Sequence, residues 1–271
     1  LPTMNRSEIF FFFVSGMGTI AGSVMGTYIG MLGGTDPAAK VLFATHLLSA
    51  SVMAVPGSIV LAKMLCPQTE EATDHVAISG KEKENSNILD AISSGTVTGV
   101  KLMTNIAAML LVFISLVALA NYITEGVIGR YTGLNDWIVK ITDGKAQGLT
   151  FQFILGVITS PFMWLIGVPS QDIMLVGSLL GQKTILNEFV AYFQLQQWKD
   201  AGLFMYEKSI LMSTYILCGF ANISSIGILL GGLGVLAPEK RGLISRIGVP
   251  AMIGGALVSV LSATIIGMIL G

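Results

Sequence analysis

Residues 7–32, SEIFFFFVSGMGTIAGSVMGTYIGML, contain a single charged side chain, Glu8. At about 1.5 Å of rise per residue a helix over this run exceeds the roughly 30 Å hydrocarbon core of a bilayer. A backbone in hydrocarbon must satisfy its own polar groups, so such a run folds as a helix that spans the bilayer. Four more runs, 41–65, 105–123, 209–236 and 247–270, have suitable length and apolarity. Only 11% of the 271 residues are charged and 53% are hydrophobic, against about 25% charged in soluble domains. The chain therefore reads as an all-α polytopic membrane protein, multi-pass in the cell membrane, with the lipid bilayer as its solvent. A net charge of −1 offers no basic surface for nucleic acid.

The loops give an orientation. Residues 237–246 (APEKRGLISR) carry Lys240, Arg241 and Arg246 against Glu239, which places this loop on the cytoplasmic side. Counting back, Arg6 and the polar stretch 67–88 fall inside and 33–40 outside. Lys63, near the end of the second run, is expected to snorkel to the interface. Residues 89–103 are too polar to span and are expected to lie on the membrane surface as an interfacial helix. Asn5 followed by Glu8 reads as a capping box at the first helix.

Between 149 and 200 the pattern changes. Gly156, Pro161, Gly167, Pro169 and Gly181 punctuate the apolar sequence into pieces of about ten residues, too short to cross a bilayer. These are expected to be re-entrant segments, with GQKTILNE (181–188) as a hairpin tip inside the protein. Asp172, after Val-Pro-Ser-Gln, reads as a helix cap.

Two runs resemble each other: GMGTIAG (16–22) and GFANISS (219–225) each place glycine, a bulky residue, a small residue and a polar residue before isoleucine, midway along an apolar run. Small and hydroxyl residues in a membrane helix serve close packing, or local unwinding that frees carbonyls. Broken helices at matching places in two repeats point to the midplane site of a secondary transporter.

Other chemistry is weakly signalled. His46 lies in an apolar run and His75 in the polar loop, without a metal-binding pattern. Cys66 and Cys218 have no paired spacing, and no cofactor is expected. HExxH, GxSxG and P-loop patterns are absent. An intramembrane enzyme would need a nucleophile with a base, and a channel could use the same broken helices, so both remain as alternatives to a transporter.

The strings GMGTIAGSVMGTYIG, ATHLLSASVMAVPGSIVLAKMLCPQTE, GQKTILNEFVAY, CGFANISSIGILLGGLGVLAPEKR and GALVSVLSATIIGMIL resemble, in this order, the concentrative nucleoside transporters. The resemblance implies an inverted-repeat transporter with a re-entrant hairpin and partly unwound helices. It also implies cation-coupled nucleoside uptake by alternating access in a homotrimer, with sodium as the expected coupling ion and a proton as the alternative. Residues 1–66 become the end of the first repeat and 67–104 a polar loop with the surface helix. Residues 105–148 become a scaffold helix and loop, and 149–271 the second repeat. By resemblance Glu188, Asn222 and Ser225 bind ribose, Phe220 stands beside the site and Val24 touches the base. Thr19 and Ile20 coordinate sodium by the same resemblance. A first hairpin is expected immediately before residue 1.

Overall fold

In a computed structural model, residues 4–70, 87–142, 144, 146–236 and 238–271 are described. All regular structure among them is helical. The elements are α1 (Arg6–Gly18), α2 (Gly22–Gly33), α3 (Pro37–Leu65), α4 (Ile88–Asn121), a π-helical stretch Tyr122–Gly129, α5 (Arg130–Thr132) and α6 (Leu134–Ile141). They continue with α7 (Phe151–Leu165), α8 (Ile173–Ile185), α9 (Glu188–Asp200), α10 (Glu207–Leu217), α11 (Ile223–Leu236) and α12 (Arg241–Ile269). Two compact units result: Leu1–Ala72 with Gln152–Gly271, and Thr73–Phe151. Most of the polar loop, with His75, lies outside the described residues.

The first unit repeats one plan. A helix broken near its middle (α1/α2, then α10/α11) is followed by an unbroken helix of 29 residues (α3, then α12). Asn5 starts α1 with the expected capping box, accepting from Glu8 N at 2.9 Å while the Glu8 carboxylate accepts from Asn5 N at 2.8 Å. Asp36 caps α3 ahead of Pro37, whose missing N–H costs nothing at a first helical position.

Contacts along α12 give the direction of each neighbour. Val14 lies against Gly254 and Gly18 against Val258, so α1 runs parallel to α12. Met212 lies against Gly267, Ala221 against Gly255 and Ile226 against Gly248, so α10 and α11 run antiparallel to it. Leu65 meets Gly254 and Gly57 meets Leu261, so α3 is antiparallel as well. Each repeat is thus a broken helix and an unbroken helix in opposite directions, and the second repeat is the first inverted. Apolar side chains such as Val52 and Met64 on α3 remain exposed, as a lipid-facing surface requires.

Helices α8 and α9 form the expected re-entrant hairpin. Each has 13 residues, or about 20 Å, short of a bilayer crossing. The chain turns at Leu186 and Asn187, and Asn187 caps α9 through Val190 N at 2.9 Å. At the open end the buried Asp172 carboxylate accepts from Met205 N at 3.0 Å and Tyr206 N at 3.1 Å. Asp172 is the N-cap residue of α8, as expected, but its carboxylate bonds these two distant amides instead of its own helix and so clasps the two ends of the hairpin.

Three other expectations need correction. Gly156, Pro161 and Gly181 do not interrupt their helices. Thr159 and Ser160 donate to the carbonyls of Leu155 and Gly156, supporting α7 beside Pro161. The two glycines bring α7 and α8 into contact: a Cβ on Gly156 would sit 2.8 Å from Met174 O, and one on Gly181 2.6 Å from Leu155 Cβ. Near the end of α3, Lys63 Nζ donates to Ser7 Oγ at 3.0 Å and to Gln68 Oε1.

In the second unit, residues 89–103 are no separate interfacial helix. They and 105–121 form one continuous α4 of 34 residues, capped at Asn87 and free of proline. Helix propagation across this polar stretch adds one backbone bond per residue, so polarity alone does not end the helix. Asn135 ties the end of the unit together, donating to Glu125 O and accepting from Leu149 N, each at 3.0 Å.

Candidate functional site

Unwinding a helix inside a membrane protein releases carbonyls that must find other donors. At the α10/α11 break, five consecutive carbonyls do so. Thr214 O accepts from the Tyr192 hydroxyl at 2.8 Å and Tyr215 O from Cys218 N at 3.1 Å. Ile216 O accepts from Lys183 Nζ at 2.8 Å, Leu217 O from Gly219 N at 2.8 Å and Cys218 O from Ser259 Oγ at 3.1 Å. Donors from α8, α9 and α12 thus hold the break in one shape.

Beyond it, Asn222 is fully buried and caps α11, its Oδ1 accepting from Ser225 N at 2.8 Å and lying 2.9 Å from Ser225 Oγ. Its other end, Nδ2, donates to Glu188 Oε2 at 2.9 Å. Ser225 Oγ also donates to Phe220 O. Glu188, at the first position of α9, is 6% exposed. The hairpin tip and the second break therefore share one hydrogen-bonded cluster, Glu188–Asn222–Ser225, with the half-buried Phe220 beside it. Cap geometry, rather than a shared helical face, brings Asn222 and Ser225 together.

The first break lies against the second. A Cβ on Gly219 would come within 3.1 Å of Gly18 O and 3.2 Å of Met17 O, and Gly255 of α12 touches both Met17 and Ala221. Thr19 is extended and its hydroxyl donates to Ser15 O at 3.0 Å. Among the described residues no donor reaches the carbonyls of Gly18, Thr19 or Ile20. Ile20 and Val24 pack on the larger apolar cluster. One turn past Val24, Tyr28 stacks on Tyr192 at 4.0 Å and meets Phe189 at 6.4 Å, which joins α2 to α9.

All seven residues singled out in the sequence thus belong to one unit. Glu188, Asn222, Ser225 and Phe220 are brought directly together. Thr19, Ile20 and Val24 stand on the facing broken helix.

The residues match a known family. The profile described as "Na+ dependent nucleoside transporter C-terminus" covers residues 46–267. An uncharacterised transporter of Haemophilus influenzae is 38% identical over all of this chain and 60% of its own length. Sodium/nucleoside cotransporter 1 of Rattus norvegicus is 37% identical over 99% of this chain and 40% of its own. The chain belongs to the Na+-dependent nucleoside transporter family. It resembles the solved CNTnw in an inward-facing substrate-bound state, at 34% identity and a TM-score of 0.80 over 100% of this chain and 59% of that one. A double variant of CNTnw in an outward-facing state matches at a TM-score of 0.82 over 99% of this chain and 59% of that one. The chain thus spans about 60% of the first of these relatives.

Within this transporter fold, sequence reasoning passed over Lys183, Ser259, Tyr28 and Tyr192. The signal for Lys183 was present: a lone cation five residues before Glu188 in an apolar stretch. Its ammonium donates to Ile216 O and Ser259 Oγ, while Asn187, beside Glu188, caps α9. Ser259 and the tyrosines carry no sequence mark, because their partners are backbone atoms or rings far along the chain.

The contact between the two breaks makes a specific demand on Gly219, where a Cβ would lie 2.6 Å from Ser259 Oγ and close to two backbone carbonyls. Gly219→Ala is expected to force the breaks apart and destabilise the intact protein by about 1–3 kcal/mol. Thermal unfolding in detergent, compared with Gly227→Ala, where a Cβ meets nothing within 4 Å, reads this out. Equal melting of the two variants would contradict the close crossing.

Proposed function

We propose that this chain supplies the second hairpin and both broken helices of a sodium-coupled nucleoside transporter. Transport proceeds by alternating access in a homotrimer, and Glu188, Asn222 and Ser225 hold the ribose. The observation that carries this reading is the buried Glu188–Asn222–Ser225 cluster between the hairpin tip and the second break. A carboxylate at this depth is costly and marks a functional site. Ionised, it accepts hydrogen bonds from two vicinal hydroxyls, and its bond from Asn222 orients it for them. Asn222 Nδ2 and Ser225 Oγ supply further polar partners for the sugar. Phe220 and Val24 offer flat and apolar surface to the base. That CNTnw was solved in inward-facing and outward-facing states supports the transport cycle by likeness.

The first break supports the coupling ion. Thr19 Oγ1 and the Ile20 carbonyl are neutral oxygens on unwound backbone, the ligand type that hard cations prefer and that broken helices provide. The family description and the names of the mammalian relatives specify sodium for those proteins.

Uptake of labelled uridine and adenosine into vesicles containing the intact protein tests the reading. Accumulation against a gradient, abolished by an ionophore, is expected, and equilibration without accumulation would point to a channel. Thr19→Val, which removes one oxygen at nearly constant shape, is expected to weaken the sodium dependence of uptake about tenfold. Uptake by the parent that is unchanged when choline replaces sodium would overturn the sodium assignment.

Glu188→Gln keeps one acceptor and removes the charge, with an expected loss of about 1.5–3 kcal/mol in ribonucleoside binding, on the order of ten- to a hundredfold. Analogues lacking a sugar hydroxyl should bind the parent weakly and lose less on substitution. Binding isotherms on both proteins decide this; equal losses for every analogue would assign Glu188 to holding the hairpin instead of the sugar.

A further inference from the structure

Lys183 of α8 is fully buried, and its charge is met by backbone. Its Nζ donates to Ile216 O at 2.8 Å, in the last turn of α10, and to Ser259 Oγ on α12 at 3.0 Å. Ser259 in turn donates to Cys218 O at 3.1 Å, inside the break. The ammonium therefore satisfies one freed carbonyl directly and a second through a single hydroxyl. It also sits where the partial negative charge of a helix C-terminus is greatest.

The inverted repeat gives this arrangement a counterpart. The end of α1 corresponds to the end of α10, since each closes the first half of a broken helix that lies against α12 at Val258–Ser259. At the first break the carbonyls of Gly18, Thr19 and Ile20 receive no donor from the described residues. At the second, an ammonium on a side-chain tether donates to Ile216 O, and the hydroxyl it also contacts donates to Cys218 O.

We propose that Lys183 is the built-in cation of the second repeat. Its ammonium holds the end of α10 and the 218–222 segment in the shape that presents Asn222 and Ser225, the task that an exchangeable cation performs at the first break. This rests on the transport reading above. Because the tether keeps the second break loaded, only the first responds to ion concentration. Lys183 is a positioning residue: it acts on substrate through Asn222 and Ser225 and is not assigned a contact of its own.

The test uses the intact protein in detergent, with uridine and adenosine as probes. Lys183→Met fills the space without charge and is expected to weaken nucleoside binding about tenfold or more. Lys183→Ala should show a similar loss, partly restored by propylammonium chloride at millimolar concentration and not by propanol. A Lys183→Met protein that binds as tightly as the parent overturns the proposal. So does rescue by propanol equal to that by the amine, since that would make the side chain a space filler. If neither lysine variant folds, Ser259→Ala, which removes one acceptor of the Lys183 ammonium together with the bridge to Cys218 O but leaves the bond to Ile216 O, carries the test. A several-fold loss in affinity is expected, and parental affinity overturns the proposal. A parent that binds neither nucleoside overturns the transport reading and this inference together, whereas a binding parent with indifferent variants overturns this inference alone.

Discussion

Backbone carbonyls released at membrane depth must be given donors or cations, and the larger unit of this protein is organised around that requirement. Two helices are broken where an uninterrupted helix would have needed no help. At the second break, donors from three other helices take up Thr214 O, Ile216 O and Cys218 O, and local turn amides take up the two between them. Unsatisfied, each such group would cost several kcal/mol in hydrocarbon. The break is therefore stable only while the hairpin and α12 are docked against it, which couples the shape of the site to tertiary packing.

This arrangement also explains how the chain keeps a carboxylate in an apolar interior. Glu188 opens α9, where helix N-termini favour negative charge, and Asn222 from the opposite break donates to it. Asn187 and Asn222 perform the same local task, each capping the helix that follows a chain interruption. The two polar ends meet because the hairpin is too short to pass through the membrane and turns back at the level of the break. Asp172 fixes the hairpin's other end by accepting from two backbone amides more than thirty residues away. The glycine faces of α7, α8 and α12 let backbones approach closely enough for these bonds to form.

Much of this was legible in the sequence, for identifiable reasons. The long apolar runs had to be helices, and the Asn5–Glu8 spacing specified its own cap. The likeness of 16–22 to 219–225 located both breaks. What could not be read depends on distant backbone. Nothing local reveals that Lys183 meets the end of α10 instead of Glu188, because a carbonyl partner leaves no residue type to recognise. Pro161 looks like a terminator until Thr159 and Ser160 are seen donating to the preceding turn. The polar stretch 89–103 has the composition of a surface helix, but with no proline or second cap before Asn121, α4 simply continues.

The central claim is that the hairpin tip and the second break form one binding centre for a nucleoside sugar. A structure of the intact protein with bound 5-iodouridine tests it most directly, because the iodine locates the base and thereby the ribose. The account predicts ribose oxygens within hydrogen-bond distance of the Glu188 carboxylate and of Asn222 or Ser225, with the base directed towards Val24 and Phe220. A nucleoside seated elsewhere, with the Glu188–Asn222 bond intact and no sugar oxygen near either, would contradict it.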